Sequence, residues 1–229
     1  TVAAHFDSTK ITSADLGLFA TYIKRYDDTY RLNGDFKGKI KNFYAKVIDI
    51  LFGENSQLKG NLRMDGLPNF QESFIDFTLQ EANFSPQDVR QYVADSITNR
   101  KFGILGNLEF KGRFTGFPKD FVANGVFTSR LGRLESDLNL KVTEEVANSK
   151  YSGSLSTFNF NIGELLEADS LLQKVQLTGS IKGEGLSLTT ANLKLNAHIG
   201  FIGILGYEYQ NIKTNANLAK EFFNGQLAI

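Results

Sequence analysis

Hydrophobic and polar residues alternate strictly along much of the chain. From Leu32 to Ile40, the even positions carry Leu, Gly, Phe, Gly and Ile, whereas the odd positions carry only Asn, Asp and Lys. Because successive side chains of a β-strand point to opposite faces, this period of two predicts half-buried antiparallel strands. The same pattern is strong at 58–66, 104–116, 134–142, 175–185 and 193–199, and weaker at 2–6, 45–52, 75–79, 121–131, 151–157 and 207–218.

Glycine recurs in the apolar phase of these strands. A packed interior requires bulky side chains at such positions, so glycine alternating with Phe and Leu indicates a strongly curved sheet, or a ligand that approaches the backbone closely. The alternative is that the glycines mark bulges and bends of an ordinary β-sandwich. Their number favours the curved sheet, and they are Gly34, Gly38, Gly60, Gly106, Gly112, Gly116, Gly179, Gly183 and Gly185.

Three segments carry the signature of a helix start. Thr12, Ser85 and Asn161 each precede a carboxylate by three residues, and such a side chain can cap a helix whose third residue bonds back to it. In the second segment Pro86 occupies the first helical position, where its missing N–H costs no hydrogen bond. We expect short helices over 13–26, 86–95 and 162–169.

The helix starts and the strands after them recur at a regular spacing. The three capping residues are 73 and 76 residues apart, and similar tripeptides follow each helix at 36–38, 110–112 and 181–183. This predicts repeats of about 75 residues, each a short α-helix plus about five strands, stacked so that each contacts its neighbours. We expect 1–229 to be one continuous array, a fragment of a longer chain, with 1–11 ending a preceding repeat and further repeats at 12–84, 85–160 and 161–229, the last incomplete.

Composition narrows the possible functions. The 229 residues contain 25 Lys plus Arg and 25 Asp plus Glu, and a formal net charge of zero argues against nucleic-acid binding, which needs a basic surplus. Cysteine is absent, which excludes disulfides, thiolate metal sites and cysteine nucleophiles. The longest apolar run, 199–207, is much shorter than the roughly 20 residues of a membrane-spanning helix.

No segment carries a catalytic or metal-binding pattern. His5 and His198 share the polar phase of their strands, and we expect both to be solvated, as we do the paired carboxylates at 27–28. The similar stretches 103–106 and 203–206 lack the Lys-Ser/Thr of a phosphate loop and are predicted to be strand bends. We therefore expect no enzyme, no cofactor and no bound metal.

The apolar face of the sheet is the candidate binding site. If the sheet remains open, this face forms a water-excluding slot for acyl chains. If it closes, the face is only a core, and the chain is a structural or adhesive β-solenoid without lipid transport. We expect the groove to be lined by Phe36, Ile40, Leu58, Leu62, Met64, Ile75, Phe77, Leu108, Phe110, Phe114, Phe127, Leu134, Leu138, Leu140, Leu177, Ile181, Leu193 and Leu195, which share the apolar phase of their strands.

A family resemblance is carried by three stretches, LKGNLRMDGLP at 58–68, NFSPQDV at 83–89 and FKGRFTGF at 110–117. They are similar to repeats of the TamB family, the large subunits of the translocation and assembly module within the AsmA-like superfamily. The resemblance extends over roughly 11–218 of the chain.

The resemblance implies a long, taco-shaped β-groove (a β-taco) similar to those of bridge-like lipid-transfer proteins. It implies movement of phospholipid between the inner and outer membranes of a Gram-negative envelope, with the full-length protein in the periplasm and anchored in the inner membrane. It also implies outer-membrane protein assembly with an Omp85-type barrel. An anchor helix and a barrel-docking end are not recognisable here, so we expect the barrel to contact parts outside this chain.

Overall fold

The computed structural model describes residues 2–18, 21–93, 96–185, 190–219 and 222–228. They form a mainly β protein with one antiparallel sheet of fourteen strands. Thirteen of the strands follow the order of the sequence from β1 (Val2–Thr12) to β14 (Phe222–Ala228), and the two-residue strand Phe160–Asn161 lies off this path. β1 and β14 are the edges of the described sheet, which is therefore not closed. The prediction of a mainly β, antiparallel protein is confirmed.

The chain divides into two compact units, Thr1–Phe121 and Val122–Ile229. The first contains β1 and five further strands, β2 (Thr29–Lys39), β3 (Asn42–Phe52), β4 (Ser56–Asp65), β5 (Phe74–Phe84) and β6 (Leu108–Phe117). Its helical segments are α1 (Ser13–Leu16), α2 (Pro86–Val89), α3 (Ser96–Leu105) and 3-10 turns at Thr21–Arg25, Phe70–Glu72 and Arg90–Tyr92.

The second unit contains most of β7 (Asp120–Ser129) and seven further strands, β8 (Gly132–Lys141), β9 (Lys150–Phe158), the two-residue β10 (Phe160–Asn161), β11 (Leu172–Glu184), β12 (Asn192–Ile204), β13 (Tyr207–Ala219) and β14. Its helical segments are α4 (Ile162–Leu166) and a 3-10 turn at Val146–Asn148. Four long strands follow each of α1, α3 and α4, rather than the predicted five or so.

Bulges shift the alternation of side chains in the first unit. Ala45 and Ile48 of β3 lie three residues apart, although side chains on one face of a regular strand are separated by two. Both nevertheless pair with apolar-face positions of β4, because Val47 is an extra residue between them. Val47 has a φ of +48°, and its side chain is exposed to solvent. The pairing registers leave similar extra residues at Ser8 in β1 and Gln80 in β5. A bulge bends its strand and increases the local twist, so we expect a local bend in each of these three strands.

The glycines of the apolar phase let neighbouring strands approach each other closely. Gly153 of β9 has a φ of +146°, and a Cβ added to it would lie 2.0 Å from the carbonyl oxygen of Asp137 in β8. The space beside this glycine is therefore occupied by backbone. Close contact between strands, rather than room for a ligand, explains why glycine is needed at this position.

Replacing Gly153 with alanine is expected to destabilise the protein by about 2 kcal/mol, because both the positive φ and the adjacent carbonyl oppose a Cβ. Gly200→Ala in β12 is the control, since its added Cβ would meet only ordinary contacts at 3.6 Å and beyond. Urea unfolding of the two variants measures the difference. Equal stability of both would contradict the close strand approach at Gly153.

All three helix starts are confirmed, although the helices are shorter than predicted. α1 begins after Thr12, α2 after Ser85 and α4 after Asn161. Thr12 forms a capping box with Asp15, and the side chain of Asn161 also caps its helix. The expected cap at Ser85 is wrong, because its hydroxyl donates to the side chain of Gln87 at 2.7 Å instead of capping the helix.

One helix replaces the start of a predicted strand. α3 runs to Leu105, so β6 begins four residues later than the alternation indicated. Gly106 follows the helix at φ +67°, and its N–H donates to the carbonyl four residues earlier at 3.1 Å, as is common where helices end. The strand bend predicted at 103–106 is therefore wrong. The similar stretch 203–206 instead forms the end of β12 and part of its tight turn into β13.

Candidate functional site

The strand register of the first unit aligns its apolar positions in rows. Phe36 of β2 lies opposite Ala45 of β3, which lies opposite Leu62 of β4. The row continues through Phe77 of β5 to Phe114 of β6. Directly opposed residues of antiparallel strands share a face of the sheet. These five side chains therefore form one apolar stripe across five strands.

The second unit contains a similar row. Leu138 of β8 lies opposite Gly153 of β9, and Gly153 lies opposite Ile181 of β11. Leu195 of β12 and Ala216 of β13 continue it. The register thus brings Leu138, Ile181 and Leu195, three of the predicted lining residues, onto one face of this unit.

Most of the eighteen predicted lining residues are half-buried. Leu62, Ile75 and Phe110 are buried. Ile40 does not share the face, because it lies in the turn after β2 and is 55% exposed. The other fourteen, all half-buried, are Phe36, Leu58, Met64, Phe77, Leu108, Phe114, Phe127, Leu134, Leu138, Leu140, Leu177, Ile181, Leu193 and Leu195.

β3 supplies buried residues to this face that are absent from the predicted lining set. Ala45 and Ile48 form a buried cluster with Leu62 and Ile75. The signal in the sequence is a shift of the apolar residues of β3 from odd to even positions after Ala45, which indicates a bulge at Val47. If the period of two found before Val47 is extended past it, the residues in the second half of β3 are assigned to the wrong face of the sheet.

One continuous sheet carries the apolar face. Over the part of the chain that the structure describes, the elements outside the sheet are short helical segments, the longest being the ten residues of α3. Aromatic side chains of neighbouring strands pack against one another on this face. The ring of Phe36 lies 5.1 Å from that of Phe6 and 5.9 Å from that of Phe43, and the rings of Phe114 and Phe121 stack at 4.6 Å.

In the first unit, α2 crosses the ends of β3 and β4. The carboxylate of Asp88 accepts hydrogen bonds from the N–H groups of Glu54 and Asn55, at 3.0 and 2.9 Å, and from the hydroxyl of Ser56 at 2.8 Å. Gly53 in the same turn must be glycine, because a Cβ there would lie 2.2 Å from the Asp88 carboxyl carbon. Burial alone would raise the pKa of Asp88, but these hydrogen bonds outweigh it and hold the pKa below its usual value.

The turn after α2 continues along the strand ends to β2. The hydroxyl of Tyr92 donates to the carboxylate of Asp28 and lies 2.8 Å from the hydroxyl of Tyr30, while Gln91 donates to the same carboxylate at 3.0 Å. Burial first, then the bond to Asp28, raise the pKa of Tyr92 well above its usual value. The expectation that Asp28 is merely solvated is therefore wrong. Its half-buried carboxylate accepts hydrogen bonds that join the 3-10 turn Arg90–Tyr92 to the residue before β2.

In the second unit, α4 makes comparable contacts with the turn between β7 and β8. The guanidinium of Arg130 forms an ion pair with Glu164 of α4. The N–H of Asn161 donates to the carbonyl of Leu131 at 2.7 Å. Ile162 packs against the buried cluster around Val175. In each unit, therefore, a short helix occupies one end of the strands.

Neither histidine belongs to a candidate reaction centre. His5 and His198 are exposed, and His5 lies 2.8 Å from the carboxylate of Asp35 on the polar face. Among the described residues, no group of three or more His, Asp or Glu side chains could hold a metal ion. Within the same residues, no helix has the length and apolarity to cross a bilayer. The apolar face thus remains the candidate site.

The chain was compared with models of protein families, with curated proteins and with solved structures, and none of the three comparisons yields a match.

Proposed function

We propose that this chain is a segment of a lipid-conducting groove, a TamB-like β-taco whose apolar face holds phospholipid acyl chains and which performs no catalysis. The observation that carries the proposal is the mostly half-buried apolar face of one unclosed sheet. A fully packed core would bury nearly all of these side chains, and a solvated surface would not align them in rows.

The dimensions of the apolar rows suit an acyl chain. Five strands at a spacing of about 4.8 Å span about 20 Å, which exceeds half of a bilayer hydrocarbon core about 30 Å thick. An acyl chain lying along a row would remove its own surface and that of the Leu, Ile and Phe side chains from water, gaining about 25 cal/mol per Å². Such binding is non-directional and requires no catalytic group.

The repeat is part of this proposal. Helix starts at 12, 85 and 161 are each followed by four long strands, and in each unit a helix lies across one end of the strands. Stacking of such repeats along the chain would extend the groove, and bulges and close-packed glycines supply its curvature. In a longer protein, this segment would be one section of a path for lipid.

The similarity of 58–68, 83–89 and 110–117 to TamB repeats supports a place for this path in a Gram-negative periplasm. The parent protein would then be anchored in the inner membrane and would conduct phospholipid between the two membranes. It would also support outer-membrane protein assembly, with an Omp85-type barrel bound by parts outside this chain.

Native mass spectrometry of the gently purified chain tests the groove. We expect phospholipid to be retained, and the delipidated chain to bind a phosphatidylethanolamine with a fluorescent acyl chain saturably. Unlabelled phospholipid should displace the probe. A structural or adhesive β-solenoid with a closed core would retain no lipid and bind no probe, and that result would contradict the groove.

A further inference from the structure

The second unit contains a cleft of about 520 Å³ that is lined mostly by residues of the polar phase, four of them lysines, together with Tyr151, Gly183 and Leu193 of the apolar phase. The cleft lies where β8 and β11 end and β9 and β12 begin, at the opposite end of β11 from α4. Its lysines alternate along the strands with residues of the apolar rows, so their side chains leave the sheet on its other face.

The register places these lysines side by side in two adjacent rows. Lys141 lies directly opposite Lys150, and Lys182 lies directly opposite Lys194. Glu184, opposite Lys150, is the single carboxylate among the lining residues. Four positive charges against one negative charge thus meet at one site, although the formal net charge of the whole chain is zero.

The Lys182–Lys194 pair requires an explanation, because like charges directly opposite each other in a sheet are destabilising. The other residues that face these two lysines across the sheet are Ser152 and Asn217, which carry no charge. Within the described part of the chain, Lys150, Lys182 and Lys194 form no ion pair and no side-chain hydrogen bond. All three are exposed and free to turn their ammonium groups into the cleft. An anion held between them would convert their repulsion into attraction.

The strand ends that carry these lysines are held together by the backbone. Ser149, which is buried, ends the loop between β8 and β9. Its carbonyl accepts a hydrogen bond from the N–H of Gly185 at the end of β11, at 2.9 Å, and its hydroxyl accepts from the N–H of Thr143 after β8, at 3.1 Å. The lysines therefore project from a fixed frame, which lowers the entropy lost when a ligand binds.

We propose that this cleft binds a phosphate group. Lysine ammoniums are donors to phosphate oxygens, and these charge-assisted hydrogen bonds are stronger than neutral ones. The inference does not rest on the proposed function, because phosphate binding on the polar face requires no acyl chain on the apolar face. The phosphate belongs either to a free anion or to the headgroup of an anionic phospholipid at the rim.

The test compares two double variants with the wild-type chain. Lys182→Gln/Lys194→Gln removes two charges from the cleft, and Lys37→Gln/Lys174→Gln removes two lysines outside it, so that net charge is matched. Inorganic phosphate is titrated by calorimetry at constant ionic strength, with chloride as the control salt. The cleft variant should bind phosphate about tenfold more weakly, as expected for the loss of charge-assisted hydrogen bonds, and the other variant should bind as the wild type does.

A second titration uses vesicles of phosphatidylglycerol in place of inorganic phosphate. Binding of both ligands, lost in the cleft variant, assigns the site to headgroups as well as free phosphate, and binding of inorganic phosphate alone assigns it to the free anion. The inference is overturned if the wild type binds neither, if chloride competes equally, or if both double variants lose the same affinity.

The apolar face is monitored separately with a pyrene-labelled fatty alcohol, which lacks phosphate. Its binding should be unchanged in Lys182→Gln/Lys194→Gln. If the wild type binds phosphate but not the alcohol, the result would count against the groove and leave the phosphate site supported. If the wild type binds the alcohol but not phosphate, the result would overturn the phosphate site alone.

Discussion

Asp88→Ala is expected to lower the free energy of unfolding by about 3 kcal/mol, because it removes three hydrogen bonds to a charged group. Glu54 and Asn55 lose the acceptor of their N–H groups. The hydroxyl of Ser56 is buried and accepts from the N–H of Ser85 while donating to Asp88, so it is left without its acceptor. Urea unfolding at pH 7 measures the loss.

Asp15→Ala provides the matched control. Asp15 holds the same third position in α1, but it is exposed, and its carboxylate accepts hydrogen bonds from Thr12, the capping residue of its own helix. Loss of such a cap costs about 1 kcal/mol. Equal destabilisation by both substitutions would mean that Asp88 acts only as a helix cap and does not hold the turn between β3 and β4.

The stabilisation by Asp88 also predicts a pH dependence. Its pKa is lower in the folded chain than the ordinary value of 3.8, so the folded state favours the ionised carboxylate. The stabilisation is fully present above the unfolded pKa and is lost as pH falls through the folded pKa. The stability difference between the wild type and Asp88→Asn should therefore be large at pH 7 and shrink below about pH 4.

Ile181→Asp is expected to abolish phospholipid binding without unfolding the protein. Ile181 is half-buried in the apolar row between Gly153 and Leu195, so a carboxylate there can remain hydrated while it repels acyl chains. Ser180→Asp is the control, because it places the same charge one residue away on the exposed polar face. Thermal melting and fluorescent phospholipid binding are measured for both variants.

Phe110→Asp should behave differently on the same face. Phe110 is only 6% exposed, so the variant loses a buried ring and gains an unpaired carboxylate. We expect a cost of at least 3–5 kcal/mol, which is comparable with the whole stability of many domains, about 5–15 kcal/mol. If Ile181→Asp also abolished cooperative melting, the apolar face would be a closed core and the groove proposal would be wrong.

The strands were predictable from sequence because apolar and polar residues alternate along a regular strand that has one apolar face. Leu32 to Lys39 and Leu58 to Asp65 lie within strands as expected. The period fails at a bulge, where one extra residue such as Val47 reverses the phase of everything after it. It also fails at α3, whose ten residues show no clear apolar stripe and end in a Gly-Ile-Leu stretch that resembles a strand.

The hydrogen bonds at the strand ends could not be predicted from the sequence, because they join residues that are far apart along the chain. Asp28 and Tyr92 lie 64 residues apart, and only the path of the helical segment back over β3 and β2 brings them together. The lysine cleft likewise depends on register, since each of its strands shows only an ordinary polar phase on its own. Local sequence patterns identify the helices and strands, whereas the register between paired strands determines which charged side chains lie close together.

The sequential order of the strands has a consequence for how the chain folds. Most long strands pair with the strand immediately before and the one immediately after in the sequence, across turns as short as that between β12 and β13. Most added strands then close only a small loop, which keeps the entropic cost of most steps low. The longest connection, 85–107 between β5 and β6, contains helical segments of its own. A nascent chain can add each strand to the growing edge as it is synthesised, without waiting for residues that have yet to leave the ribosome.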